Sequence, residues 1–260
     1  MPIFTTARNN WPSGLTYLLL LLAWEGLSRV YPPVILPGPW ESLQTLIGLY
    51  EKGRLMEPLL YSFLRLAAGF GIAFLLGTGL GVFAGAQELV FKLISPAVSV
   101  LQAVPPVSWM LLAILWLGVN GGAQIFVVAL ALFPLFFFNS LQGVRQLPKE
   151  LLEMARVFSV NRRKQLVDII LPALAPFWSA ALTVSVGMGW KTIVMAELIS
   201  GQTGIGASMN TARIYLKTEE VMAWTLLVAL LGMALEVLVR KITRPHERRG
   251  SATCDLQESR

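Results

Sequence analysis

Hydrophobic positions in this chain gather in long runs, and the polar segments between them are mostly short. Runs near the roughly 20 residues needed to cross a bilayer predict membrane helices. The first covers 12–30 and is closed by Pro32, Pro33, Pro37 and Pro39. Each proline removes a backbone donor and turns its predecessor away from helical geometry. In 40–53, Trp40, Leu43, Leu46, Ile47 and Tyr50 recur at helical spacing with Glu41, Gln44 and Glu51 between them. That pattern predicts a short amphipathic helix at an interface, ended by Gly53.

A second span covers 59–86. Its glycines (Gly69, Gly71, Gly77, Gly79, Gly81 and Gly85) predict a face for close helix approach in lipid. Residues 93–144 carry no charge and are too long for one span. They predict two, separated by the turn Gly118-Val119-Asn120-Gly121-Gly122. Pro96, Pro105 and Pro106 predict a kink or break in the first of these, which lipid tolerates where protein or a cavity covers the freed backbone. The fourth span covers 123–141, with Pro134 inside it, the fifth 171–199 and the sixth 221–240; 200–220 is expected to be a loop. The fold class is therefore all-α: a polytopic membrane protein of about six transmembrane helices. Residues 1–240 form the membrane domain and 241–260 a polar tail. The two halves do not resemble each other, which argues against an inverted-repeat fold.

Composition supports a lipid solvent. Of 260 residues, 55% are hydrophobic and only 14% are charged, against about 25% in a typical soluble domain. Mean hydropathy is +0.64. A soluble core of this size would need a charged shell that the sequence does not supply, so an ordinary soluble enzyme and a disordered chain are both excluded. The net charge of +6 would suggest nucleic acid in a soluble protein. Here the basic residues lie outside the apolar runs, and topology explains them. With Met1 cytoplasmic, Arg8, Lys92 and the basic clusters of the central loop and the tail fall on one side, against Lys52, Arg54, Arg213 and Lys217 on the other. The positive-inside rule then sets both termini in the cytoplasm. Cys254 and His246, the only residues of their types, lie in the tail. That excludes a disulfide framework, a Cys-based metal site and a His-centred catalytic or metal site. The first run carries Glu25 and is followed by no small-residue cleavage pattern, so it reads as a retained anchor.

The central loop, about 145–170, is the informative segment. Lys149, Arg156, Arg162, Arg163 and Lys164 accompany Glu150, Glu153 and Asp168. Residues 149–157 predict one short helix and 162–170 another, with 158–161 turning between them. Such a pair outside the bilayer presents charge and an apolar edge, a shape suited to a groove on a partner protein. Pro172 opens the fifth span in its first turn, where a proline costs nothing.

Glu153, Met154, Ala155, Ser159, Ile169, Leu171 and Pro172 stand at the spacing Glu-Ala-Ala-x3-Gly-x9-Ile-x-Leu-Pro. This resembles the EAA loop of permease subunits of binding-protein-dependent ABC importers. The chain departs from it at Met154, usually Ala, and at Ser159, usually Gly; the second departure touches the turn if that position needs a positive φ. Further matches are Ser62-x2-Arg65-x3-Gly69, Pro105-x3-Trp109 with Leu115-Trp116-Leu117-Gly118, Phe133-Pro134-x4-Asn139-x3-Gly143-Val144, and Ala196-Glu197 with Gly204-Ile205-Gly206. Together with Trp24-Glu25 and Leu36-Pro37-x-Pro39 they look most like the nitrate/sulfonate/taurine/bicarbonate branch.

The resemblance implies a type I importer permease in the inner membrane. A second permease subunit, usually identical, completes the pore. Each EAA loop sits in a cleft of a cytoplasmic ABC ATPase dimer, which binds ATP and Mg. A periplasmic or lipid-anchored solute-binding protein delivers the solute, a small anion such as nitrate, sulfonate/taurine or bicarbonate, or a related small organic solute. It also implies that Glu153, Met154, Ala155, Arg156, Ser159, Arg162, Arg163, Leu171 and Pro172 carry the coupling. The permease itself is not an enzyme and has no cofactor or metal; the chain has no Gly-x4-Gly-Lys-Ser/Thr phosphate loop. No nucleic acid partner is implied.

Charges inside spans are expensive and are functional candidates by default. Arg65 reads either as a snorkelling interfacial anchor or as a pathway group. Glu25 has Arg65 or Arg29 as possible partners. Lys191 reads as an attractor of an anionic solute, a snorkelling lysine or half of a structural ion pair; Glu197, six residues on, lies off its helix face. Trp109, Trp116, Trp178, Trp190 and Trp224 suit interfacial belts. Pro105, Pro106, Trp109 and Trp190 join Arg65, Lys191 and Glu197 as pathway candidates. A single-chain secondary transporter using Glu25, Arg65, Lys191 and Glu197 for ion coupling is the alternative, and a non-transporting scaffold a third reading. Neither accounts for the spacing of the central loop.

Overall fold

A computed structural model describes the backbone of residues 11–258 and the side chains of 14–243, apart from those of Lys149, Leu152, Arg156 and Arg162. The described residues are helical and turn segments with no strand. Helix α1 spans Trp11–Val30, α2 Pro39–Glu51, α3 Met56–Ala86, α4 Glu88–Ala103, α5 Pro106–Leu117 and α6 Gly122–Arg145. Then come α7 (Lys149–Val157), α8 (Arg162–Lys164), a π-helical turn (Gln165–Ile170), α9 (Leu171–Ser200), α10 (Ile205–Ile214) and α11 (Thr218–Glu258).

Four helices among the described residues are long and apolar enough to cross a membrane: α3, α6, the π-turn with α9, and α11 as far as Thr243. A fifth span exists if α4 and α5 count as one broken element, bent by 98°. The break follows from Pro105 and Pro106, which cannot continue the α4 ladder; Pro106 opens α5 instead. Helix α1 forms where the first run predicts it but falls outside this count. Trp11, Pro12 and Ser13 at one end, and Glu25, Ser28 and Arg29 at the other, dilute its leucines. The expected loop at 200–220 contains a further helix, α10, and α11 runs on past 240 through the tail.

Helices α3 and α6 form the centre. Gly69, Ala73, Gly77, Gly81 and Gly85 place a small residue every fourth position along α3. A Cβ at Gly77 would sit 2.8 Å from the Phe133 carbonyl oxygen, and one at Gly85 2.7 Å from Val144 Cβ. Gly71 and Gly79, on the other face, meet nothing. The α3 backbone therefore lies directly on α6, as a small-residue interface allows in lipid. Phe70 and Phe74 flank it edge-on to Phe136, and Phe74 meets Trp178 of α9 in the same way. Trp178 Nε1 donates to Ser140 Oγ at 3.0 Å, tying α9 to α6.

Two of the tryptophans expected in interfacial belts are core residues. Trp190 and Trp224 are 3% and 2% exposed. Trp190 Nε1 donates to the Val228 carbonyl of α11 at 2.9 Å, over Gly232, which leaves room for the ring. Trp116 is an exposed one.

Candidate functional site

Arg65 is not a snorkelling residue. It lies at the end of the bundle that carries the α5–α6 turn, its guanidinium against Gly121, whose φ is +91°. Arg65 Nη1 donates to Glu197 Oε1 at 2.8 Å and to the Thr203 carbonyl at 2.6 Å; Nη2 donates to Thr203 Oγ1 at 2.6 Å. Ser62, one turn before Arg65, donates to Glu197 Oε2 at 2.6 Å and accepts from the backbone N–H of Ile205 at 2.9 Å. The N–H of Gly206 also reaches Glu197 Oε2, at 3.3 Å. Glu197 is fully buried, and both its oxygens are bonded. Gly204, at φ +112°, passes so close that a Cβ there would overlap the carboxylate. A buried carboxylate needs such partners to remain charged. The network pins the 201–204 loop and the start of α10 to α3. Glu25 pairs instead with Arg29, at 2.9 Å.

Lys191 stands apart from that network. Val184, Met188, Lys191, Met195 and Ile199 form one exposed stripe along α9. Lys191 makes no hydrogen bond or ion pair among the described residues. Beside the stripe, Pro106, Val107 and Met110 of α5 meet Thr192, Met195 and Ala196 across a small gap. The α4–α5 break is therefore adjacent to the Lys191 turn. Pro105 is exposed, and Ser99 and Gln102 are exposed on the last turns of α4. The indole N–H of Trp109 is buried with no acceptor among the described residues.

The central loop lies at the opposite ends of α6 and α9. The expected helix–turn–helix is present. Leu151, Met154, Val157 and Phe158 make an exposed apolar edge, with Val157 81% and Phe158 73% exposed, while Ala155 is buried against its own chain. Glu153 and Arg163 are exposed; the side chains of Arg156 and Arg162 lie outside the described ones. Ser159 has φ +48°. The N–H of Val160 returns to the Ala155 carbonyl at 2.8 Å. That is a Schellman ending with Ser159 at the left-handed position glycine usually fills. Asn161 Oδ1 then accepts the N–H of Arg163 and starts α8. Leu171 N–H bonds to Leu166 O, a widened turn that accommodates Pro172, which has no N–H to give.

Sequence reasoning did not pair Arg65 with Glu197, named Ser62 only as part of a family motif, and singled out neither Thr203 nor Gln102. The isolated Glu197 in an apolar run was the available signal, since it required a cationic partner from elsewhere.

Residues 77–249 match the model of the family described as binding-protein-dependent transport system inner membrane component. The chain is 30% identical over 240 residues to the putative aliphatic sulfonates transport permease protein SsuC of Bacillus subtilis (strain 168), covering 91% of this chain and 87% of that one. It is 27% identical to the taurine transport system permease protein TauC of Escherichia coli (strain K12), over 88% and 86% of the two chains. To the nitrate import permease protein NrtB of Leptolyngbya laminosa it is 28% identical, over 90% and 86%. Its fold is similar to that of a chain in inward-facing structures of the MetNI methionine ABC transporter, with TM-score 0.61 at 15% identity over 72% of this chain and 93% of that one. The chain belongs to the binding-protein-dependent transport system inner membrane components: it is a multi-pass permease subunit of an ABC importer, not itself an enzyme.

Proposed function

We propose that two copies of this chain form the solute pathway of an ATP-driven importer. The α7–α8 pair of each docks in a cleft of a cytoplasmic ABC ATPase, which binds ATP and Mg. The observation that carries this reading is the edge Leu151–Met154–Val157–Phe158, exposed on a helix pair held beyond the ends of the spans. An apolar edge there has no lipid to cover it, and a protein groove is its natural partner. Glu153, Met154, Ala155, Arg156, Ser159, Arg162, Arg163, Leu171 and Pro172 form the coupling element. Glu153 and the basic residues meet the ATPase, Ser159 shapes the turn, and Leu171 and Pro172 pass the movement into α9.

The basic central loop and tail put both termini on the cytoplasmic side of the inner membrane. A periplasmic or lipid-anchored binding protein supplies the solute. The names of the relatives point to a small anion such as a sulfonate, taurine, nitrate or bicarbonate. The α4–α5 break with Pro105, Pro106 and Trp109, and the exposed stripe of α9 with Lys191, line the pathway. Trp190, Arg65 and Glu197 hold its helices in register. An ion-coupled single-chain transporter has less support, because Arg65 and Glu197 neutralise each other and Glu25 is paired with Arg29.

The test is Glu153→Arg in the reconstituted importer. Membrane insertion should persist while ATP hydrolysis no longer drives uptake. Normal uptake by that variant would overturn the docking role.

A further inference from the structure

We propose that the pathway selects small oxyanions through Lys191; this rests on the pathway reading above. Between the ends of the spans the Arg65–Glu197 pair is neutral. Lys191 is exposed on α9 with no partner among the described residues, so it is the unbalanced charge of that region. A lone ammonium facing hydrocarbon is costly, and intramembrane charges face protein or a water-filled cavity. Lys191 lies nine residues before the end of α9 at Ser200 and next to Thr192, which meets Pro106, Val107 and Met110 at the α4–α5 break.

Ser99 and Gln102, on the last turns before the break, are exposed polar side chains. The nearby carboxylate, Glu197, is buried and fully bonded, so it offers no acceptor to a cation. An ammonium with no carboxylate paired to it suits a ligand of negative charge rich in acceptor oxygens. Nitrate, bicarbonate and sulfonate share that chemistry. A single positive charge attracts such an ion yet lets it leave, as transport requires.

The experiment reads water access and local field without a known solute. In a Cys254→Ser background, Gln102→Cys and, as a second site in the same helix, Ser99→Cys are placed in the importer complex in proteoliposomes. Each is labelled with the anionic sulfonatoethyl and the cationic trimethylammonioethyl methanethiosulfonate. Both sites should react, and Lys191→Gln should lower the anionic-to-cationic rate ratio by roughly fivefold, a field effect expected for a unit charge in a partly aqueous space. A Leu75→Cys control, exposed half-way along α3, should react with neither reagent. A ratio unchanged by Lys191→Gln at reactive sites overturns the anion assignment and leaves the pathway reading standing. Unreactive cysteines at both 99 and 102, in complexes that retain the ATPase, overturn the pathway lining as well.

Discussion

Arg65 of α3 and Glu197 of α9, 132 positions apart in the chain, meet at 2.8 Å in an ion pair that is 12% exposed at the arginine and fully buried at the glutamate. Ser62, Thr203 and the N–H groups at the start of α10 complete the bonding. Two single turns, one on each span, thereby fix the loop that joins α9 to α10.

Removing one partner of that pair leaves the other buried and uncompensated. Glu197→Ala is expected to destabilise the folded permease by about 3–5 kcal/mol. Arg65→Met combined with Glu197→Leu should recover much of the loss, because no charge is then stranded. Thermal unfolding of the detergent-purified complex measures both. Equal losses in the single and double variants would show that the pair is not the source of the effect.

The glycines of α3 differ in what they tolerate. A Cβ at Gly81 would overlap the Phe137 carbonyl, whereas one at Gly79 meets nothing. Gly81→Ala should cost about 1–3 kcal/mol by forcing α3 and α6 apart. Gly79→Ala should be neutral or slightly stabilising, since it faces open space in the same helix. Comparing folded yield and thermal stability of the two variants checks the packing face directly.

Ser159 sits at φ +48°, where a side chain is strained and glycine is not. Ser159→Gly should slow amide exchange at the N–H of Val160, which closes the turn onto Ala155. Ser159→Val should speed it and weaken coupling, at a cost of roughly 1–2 kcal/mol for a β-branched residue forced into the left-handed region.

The apolar runs and the proline break were legible because length and hydrophobicity alone specify a span, and Pro105-Pro106 cannot continue a helix. The α7–α8 turn was legible from spacing, and Gly53 from its place after an amphipathic run. Other features depend on contacts that no local pattern encodes. The partner of Arg65 comes from another span. Trp190 is amphipathic in composition, and only the gap over Gly232 makes it a core residue. Helix α10 is short, with a weak pattern, and is held by the Ser62 hydroxyl and the Glu197 carboxylate at its start. The coupling role itself was read from a resemblance; the exposed edge at Val157 and Phe158 gives it a physical basis.

The most direct test of the account is recovery of the tagged full-length protein from its native membranes in mild detergent, with mass spectrometry of what accompanies it, beside a Phe158→Asp variant. The account predicts that an ABC ATPase subunit copurifies with the natural chain and is lost from the variant, while the variant still inserts in the membrane. A natural chain that carries no nucleotide-binding partner even after crosslinking, or a variant that keeps the ATPase in full, would contradict it.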